Sequence, residues 1–398
     1  MTERAERDDH VGARDDPGGK RRRPDFWSRP RRLLALAFLR TGSKRVRFGL
    51  AAVLGFALWA ARTGLLCHGD ADCWLGERQT IVATSKLSNK YDPSLAEQPV
   101  FVYDMGGVRA LKFGAMGDSV ARQSSAVIGD PDLFTLPIHC HIAAALLVFA
   151  KKPPRRVLMF GMGGGALHAF VQKHFLEAQL DVVDLEPEVV RLALDHFNVK
   201  RGPNFNVTIQ DGRKWVDGLP REGLADARRY DIIVQDACAG HPCSLVTAEA
   251  IAALRDRALS PNGVLVQNLF GVEPDVIRTF QDAFSAAQGR ALYILDSGYS
   301  SKALICLRTS ESGPDARATP REPEQAVLFQ GRARFLKAAN LGPRCFAKGL
   351  RYGQTDDIAS MISRLERADL PLLPGAPITD DHPDVKALEE KRWKNKSG

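Results

Sequence analysis

Val157-Leu158-Met159-Phe160-Gly161-Met162-Gly163-Gly164-Gly165, followed after a helical stretch by Asp181-Val182-Val183-Asp184, reads as a strand, a glycine turn, a helix and a second strand ending in an acid. Glycines at such a turn let the backbone bend sharply and approach a ligand. The helix start offers free N–H groups, and the acid after the next strand can accept ribose hydroxyls. No Gly-Lys-Ser/Thr closes the cluster, so a lysine and magnesium cradling phosphates are not expected. The turn alone fits nicotinamide and flavin enzymes equally well. Turn, helix and acid in this order favour an adenosyl ligand over a phosphate.

Working outward, Pro187 to Phe197 is helical, Phe205 to Gln210 strand-like and followed by Asp211-Gly212, and Tyr230-Asp231-Ile232-Ile233-Val234-Gln235 a strand running into Asp236. In a doubly wound sheet these acids share the carboxyl edge with the glycine turn, where ligands bind. Asp184 would then hold the ribose, Asp211 would face the adenine amino group, and Asp236 would stand beside the reacting centre. Taken singly, Asp211-Gly212 is equally a turn and Asp236 a helix N-cap.

These motifs, with Leu265-Val266-Gln267-Asn268-Leu269 and Ala303-Leu304-Ile305-Cys306-Leu307, resemble the spermidine synthase-like branch of the class I S-adenosylmethionine-dependent transferases. The later ones also resemble the C-terminal domain of the methyltransferase that modifies a lysine and the N-terminus of a translation elongation factor. The resemblance runs from about Ile81 to Leu307. It implies a Rossmann-like, doubly wound, mostly parallel seven-stranded sheet behind a small N-terminal β-domain, with S-adenosylmethionine as cofactor. Gly161, Gly163, Gly165, Asp184, Asp211 and Gly212 are the implied cofactor residues, and Gln123 and Ser124 are candidates for its methionine portion. Related polyamine enzymes often dimerise, so a homodimer is an expectation by analogy alone.

The chain departs from the polyamine enzymes. Where aminopropyltransferases carry an Asp within the glycine motif, Gly164 stands here. Their second Asp, three residues beyond the catalytic one, is replaced in Asp236-Ala237-Cys238-Ala239. Their Tyr and Glu before the first sheet strand align with His139 and His141. Holding a polyamine requires several carboxylates, because a buried unpaired cation is costly. Methyl transfer to an amine-bearing acceptor, in a protein or a small molecule, is therefore the leading reading. Aminopropyl transfer is the alternative, and a membrane-tethered binding protein without catalysis is a third. Asp236 would orient the acceptor, and His241 has an unperturbed pKa suited to general-base work. The alternative for His241, a solvent-exposed loop histidine before proline, is the stronger of its two readings, and Cys238 and Cys243 read as packing residues.

The chain has 398 residues with an ordinary globular balance of 44% hydrophobic and 26% charged. Of its 55 Lys and Arg, 14 fall in residues 1–47 with only 7 of the 47 Asp and Glu, which leaves 41 against 40 in the remainder. The body is nearly neutral, which argues against a nucleic-acid partner. Residues 1–47 read as a basic disordered tail suited to an anionic membrane surface, and 48–67 as a hydrophobic anchor or targeting helix. That segment predicts membrane association. Residues 78–130 read as the small β-domain, 131–309 as the cofactor-binding domain, and 310–398 as a linker and helical extension fraying from Ala376. The seven cysteines form no disulfide framework. Cys67 and Cys73 could pair in an oxidising compartment, whereas Cys140, Cys238 and Cys306 read as reduced. No metal site is expected: His139-Cys140-His141 is the nearest pattern, and two histidines two apart diverge on a helix.

Overall fold

The computed structural model describes residues 79–88, 97–105, 107–114, 123–150, 152–237, 243–270, 274–284, 290–296, 301–308, 322–339, 341–346, 355–367 and 376–387. The tail 1–47, the hydrophobic segment 48–67, and Cys67, Cys73, Cys238 and His241 lie outside these residues. Among the described residues, no helix is long and apolar enough to cross a membrane.

Strands β1 (Thr80–Lys86), β2 (Pro99–Met105), β3 (Val108–Phe113) and β4 (Ser124–Val127) form an antiparallel sheet in chain order. Alternation along β2 buries Val100 and Val102 against Leu111 and, from the next layer, Val189 and Leu192. A two-residue strand β5 (Leu133–Phe134) then leads to helix α1 (Pro137–Phe149). Every residue of α1 from Ile138 to Phe149 is buried. A helix without a polar face belongs inside a layer, and its first turn is set by Pro137.

The large sheet follows from alternating strands and helices: β6 (Arg156–Phe160), α2 (Ala166–His174), β7 (Gln179–Asp184), α3 (Pro187–His196), β8 (Phe205–Ile209), α4 (Gly212–Asp217), β9 (Tyr230–Gln235), α5 (Ala248–Ala253), β10 (Leu259–Phe270), α6 (Pro274–Ala283), β11 (Arg290–Asp296) and β12 (Ser301–Arg308). The C-terminal part adds α7 (Glu322–Ala338), β13 (Arg344–Phe346), β14 (Thr355–Asp356), α8 (Ile358–Ile362) and β15 (Leu365–Arg367). The sheet order is β15-β11-β12-β10-β9-β6-β7-β8, with β10, β9, β6, β7 and β8 parallel and β12 antiparallel to both its neighbours. Strand order reverses at β6, which therefore places a ligand crevice beyond its carboxyl end. Apolar residues on both faces of the strands feed two cores. Val157, Met159, Val182 and Val234 pack with α1 and α2, and Leu158, Phe160, Val183 and Ile233 with α5 and α6.

Three expectations need correction. The sheet has eight strands instead of seven, because β15 pairs with β11 from beyond the expected boundary. The C-terminal extension is not simply helical, since β13 pairs with β5 and β14. Nor does the chain fray at Ala376. Ile378 donates its N–H to Thr279 Oγ1 at 2.8 Å and accepts from the Ala248 N–H at 2.8 Å, while Ile378 and Val385 are buried. Cysteine pairing differs too. Cys140 of α1 is bonded to Cys345 of β13, with Cα atoms 5.9 Å apart at a sequence separation of 205, and Cys243 is also disulfide-bonded. Cys306 is free and buried, as expected.

Candidate active site

The turn after β6 is built from left-handed glycines, with φ of +87° at Gly161, +50° at Gly163 and +70° at Gly165. Space as well as backbone angle requires them. A Cβ on Gly161 would lie 2.5 Å from the Asp236 carbonyl oxygen, and one on Gly165 would lie 2.1 Å from Val199 Cγ2. The turn thus passes directly over the end of β9, bringing Gly161 and Asp236 together. Strand pairing continues into both, with Gly161 N–H donating to Val183 O and Asp236 N–H to Phe160 O, each at 2.9 Å.

Asp184, at the end of β7, is buried and braces this turn. Its Oδ2 accepts from Met162 N–H at 2.7 Å and its Oδ1 from Glu186 N–H at 2.8 Å. Burial pushes its pKa up to about 6, against the opposing pull of those two N–H groups. Each carboxylate oxygen carries two lone pairs, so bracing the turn leaves acceptor capacity for a ribose. Glu186 caps α3, and its Oε1 also accepts from Ser88 N at 3.0 Å and Ser88 Oγ at 2.9 Å. The antiparallel sheet is thereby fastened to the start of α3, two residues beyond Asp184.

Asp211 is buried and caps α4 by accepting from Lys214 N–H at 3.1 Å. Gly212 lies close to Leu245, whose Cδ1 would be 2.9 Å from an added Cβ. Gln123 is exposed at the start of β4. It is the neighbouring Ser124, buried, that abuts the glycine turn, with its Oγ 3.3 Å from the place of a Cβ on Gly163. The rim is therefore formed by Ser124, which the resemblance implied alongside Gln123.

Asp236 lies at the crevice end of β9, partly buried, with both oxygens engaged. Asn268 Nδ2 donates to Oδ1 at 2.7 Å, and His139 Nε2 lies 3.0 Å from Oδ2. Burial works to raise the Asp236 pKa, but the charge and hydrogen bond of His139 and the Asn268 amide outweigh it and hold the carboxyl below the usual range. Behind the pair lies His168 of α2, fully buried, which burial pushes down to about 4. His141 points elsewhere: its Nδ1 donates to Pro137 O at 2.6 Å and its Nε2 accepts from Arg364 at 3.1 Å. Divergence of the two histidines on α1 is thus realised. The engagement of His139 with Asp236 was not foreseen. The available signal was the alignment of His139 with a tyrosine of the related enzymes.

No family profile matches the chain. A polyamine aminopropyltransferase of Vibrio vulnificus is 30% identical over 176 residues, 44% of this chain and 56% of that protein. A second, from Chromobacterium violaceum, is 26% identical over 222 residues, 55% of this chain and 80% of that protein. The human eEF1A lysine and N-terminal methyltransferase is 25% identical over 193 residues, 45% of this chain and 27% of that protein. The chain is thus similar both to polyamine aminopropyltransferases and to eEF1A methyltransferases. Its matched region spans about half the length of the Vibrio relative. Among solved structures, a probable spermidine synthase from Corynebacterium glutamicum aligns with TM-score 0.47 at 16% identity, covering 70% of this chain and all of that one. Human methyltransferase-like protein 13 in complex with SAH aligns with TM-score 0.40 at 23% identity, covering 54% of this chain and 96% of that one.

Within the spermidine synthase-like frame, position 164 is informative. A Cβ on Gly164 would lie 2.8 Å from Phe197 Cε1 and 3.0 Å from Ser124 Oγ. Its φ is not left-handed, so the backbone would accept a side chain there, but the Phe197 ring and Ser124 occupy the space.

Proposed function

We propose that the chain is an S-adenosylmethionine-dependent methyltransferase acting on an amine, in a protein or a small molecule. The residues present suit the cofactor: left-handed glycines with no side chains over the crevice, a braced Asp184 at the ribose end, and Asp211 beside Gly212. The cofactor would supply a methyl group on a sulfonium, an electrophile already activated. The residues then have only to orient the acceptor and exclude water. Asp236 accepts an N–H of the acceptor and aims its lone pair. Kept ionised by His139 and Asn268, Asp236 would stabilise the positive charge that the acceptor nitrogen gains on alkylation, and the surplus proton would leave to water.

The observation that carries this reading is the packing at Gly164. An aspartate that grips the amine of decarboxylated S-adenosylmethionine would have to displace the Phe197 ring and Ser124 Oγ, which pack against Gly164. Aminopropyl transfer is kept as a second reading because two of the relatives above are polyamine aminopropyltransferases. Calorimetry with S-adenosylmethionine and its decarboxylated form separates the two. We expect at least tenfold tighter binding of the carboxylate-bearing ligand, about 1.4 kcal/mol. Tighter binding of the decarboxylated form overturns the assignment.

The basic segment 1–47 and the hydrophobic segment 48–67 support a proposal of membrane-surface association. A homodimer is proposed by analogy with polyamine enzymes, and sedimentation equilibrium of the full chain tests it.

A further inference from the structure

Asp236 is the carboxylate that the proposed transfer uses, and its surroundings are unusual for an acid that meets an amine. One oxygen takes the Asn268 amide at 2.7 Å and the other the His139 ring at 3.0 Å. Those partners come from β10, the neighbouring strand of the sheet, and from α1, which packs against β10 and β12, so two different elements hold the carboxylate. His139 is itself buried, 7% exposed, and its Nδ1 has no hydrogen-bond partner among the described residues. The geometry therefore places the ring hydrogen on Nε2, where it donates to Asp236. His168, 3% exposed, adds its electrostatic influence on Asp236 from α2. The groups bearing on Asp236 are thus His139, His168 and Asn268. Asp236 itself keeps 21% of its side chain open, so it faces the crevice while His139 stands behind it.

We infer that His139 is a positioning residue: with Asn268 it clamps Asp236 in one orientation as an ionised acceptor for a single N–H of the incoming amine. This rests on the proposed amine-methylating function. A carboxylate held by two donors cannot rotate to follow its substrate, and its remaining lone pairs point in fixed directions. A fixed acceptor selects the trajectory of the nitrogen lone pair, which must lie in line with the methyl group. The stretch after it, Ala237-Cys238-Ala239-Gly240-His241-Pro242-Cys243, carries no further acid. One clamped carboxylate matches one amine nitrogen, as on a lysine side chain or a chain N-terminus.

The test reads Asp236 directly. Carboxyl carbon NMR of the full chain follows its titration in wild type, His139→Phe and His139→Gln, with n-butylamine as the amine probe and S-adenosylhomocysteine binding measured on the same samples. His139→Phe should raise the Asp236 midpoint by about one pH unit, a tenfold change in proton affinity. His139→Gln, which can still donate from Nε2, should restore most of it. In wild type, n-butylamine should shift the Asp236 signal, and His139→Phe should weaken that binding at least fivefold while S-adenosylhomocysteine binding stays within twofold. An Asp236 midpoint unmoved in His139→Phe overturns the proposal, as does a probe that leaves the wild-type signal unchanged. A wild-type chain that fails to bind S-adenosylhomocysteine while the His139 effect persists strikes the proposed function and leaves the clamp standing.

Discussion

Gly161 and Gly165 show how one residue type serves two demands at one turn. The left-handed angle costs a side-chain-bearing residue about 1–2 kcal/mol, and overlap in a packed interior adds about 1–3 kcal/mol. At Gly165 the obstacle is Val199 Cγ2, the far end of a side chain, whereas at Gly161 it is the backbone of Asp236. Gly165→Ala should therefore lose stability that Val199→Ala partly restores in the double variant, and no nearby truncation should rescue Gly161→Ala. Urea unfolding of the four variants checks this; equal rescue at both sites would contradict it. Asp184 supports a second prediction, in pH. Its folded pKa is raised to about 6, so its contribution to stability is fully present below the ordinary aspartate value and is lost as pH rises through about 6. Ribose hydroxyls need the ionised form, so the dependence for ligand runs the opposite way: S-adenosylhomocysteine affinity should fall as pH drops below about 6. Asp184→Asn should flatten that profile and weaken binding at pH 7.5 by about 10- to 100-fold, a loss of about 1.4–2.7 kcal/mol. A profile identical in both proteins would remove Asp184 from ligand contact.

Among the elements, Arg213 of α4 binds Asp380 from the C-terminal segment with two parallel hydrogen bonds, of 2.5 and 2.6 Å, and also contacts Ser244 O and Thr247 Oγ1 at 3.2 Å each. It follows Asp211 and Gly212 directly, so the segment around Asp380 pins the helix that the site motif begins. Asp380 is held below its usual range first by its hydrogen bond to Arg213. Its folded pKa being depressed, the stability it contributes is present above the ordinary aspartate value and is lost as pH falls through the folded one. Half-exposure limits the coupling, and an Arg213→Ala, Asp380→Ala double-mutant cycle at pH 7 should give about 1–2 kcal/mol, shrinking towards pH 3. A cycle that closes at zero would make the segment a passive cover. This segment was illegible in the sequence because its anchors are single residues, Ile378, Asp380 and Val385, in a charged stretch without periodicity. The same holds for β13 and β15, three residues each, and for Cys140 with Cys345, joined only by folding across 205 residues. The parallel strands β6, β7 and β9 were legible because both their faces are buried and they read as continuous apolar runs. Asp236 was legible from its place after such a run. His139 was not, because its role depends on α1 crossing beside β9.

At the scale of the whole chain, charge and catalytic machinery are separated in sequence. The body after residue 47 carries 41 basic against 40 acidic side chains, while the first 47 residues hold a surplus of seven positive charges, with clusters at Lys20 to Arg23 and Arg29 to Arg32. A near-neutral body has little long-range attraction for an anionic surface, so any such attraction must come from that segment. Each basic side chain near an anionic membrane is worth about 1 kcal/mol at most, and the attraction fades over a Debye length of about 8 Å at physiological salt. Replacing Arg21, Arg22, Arg23, Arg31 and Arg32 by Gln in the full chain should weaken binding to vesicles containing 30% phosphatidylserine by roughly 10- to 1,000-fold, estimated from the same per-residue figure with incomplete contact. Raising salt should erode wild-type binding more steeply than that of the variant. Binding that persists on purely zwitterionic vesicles reports insertion by the apolar run Phe48 to Ala61. Equal binding of wild type and variant to anionic vesicles at low salt, with neither responding to salt, would assign the basic clusters some other role.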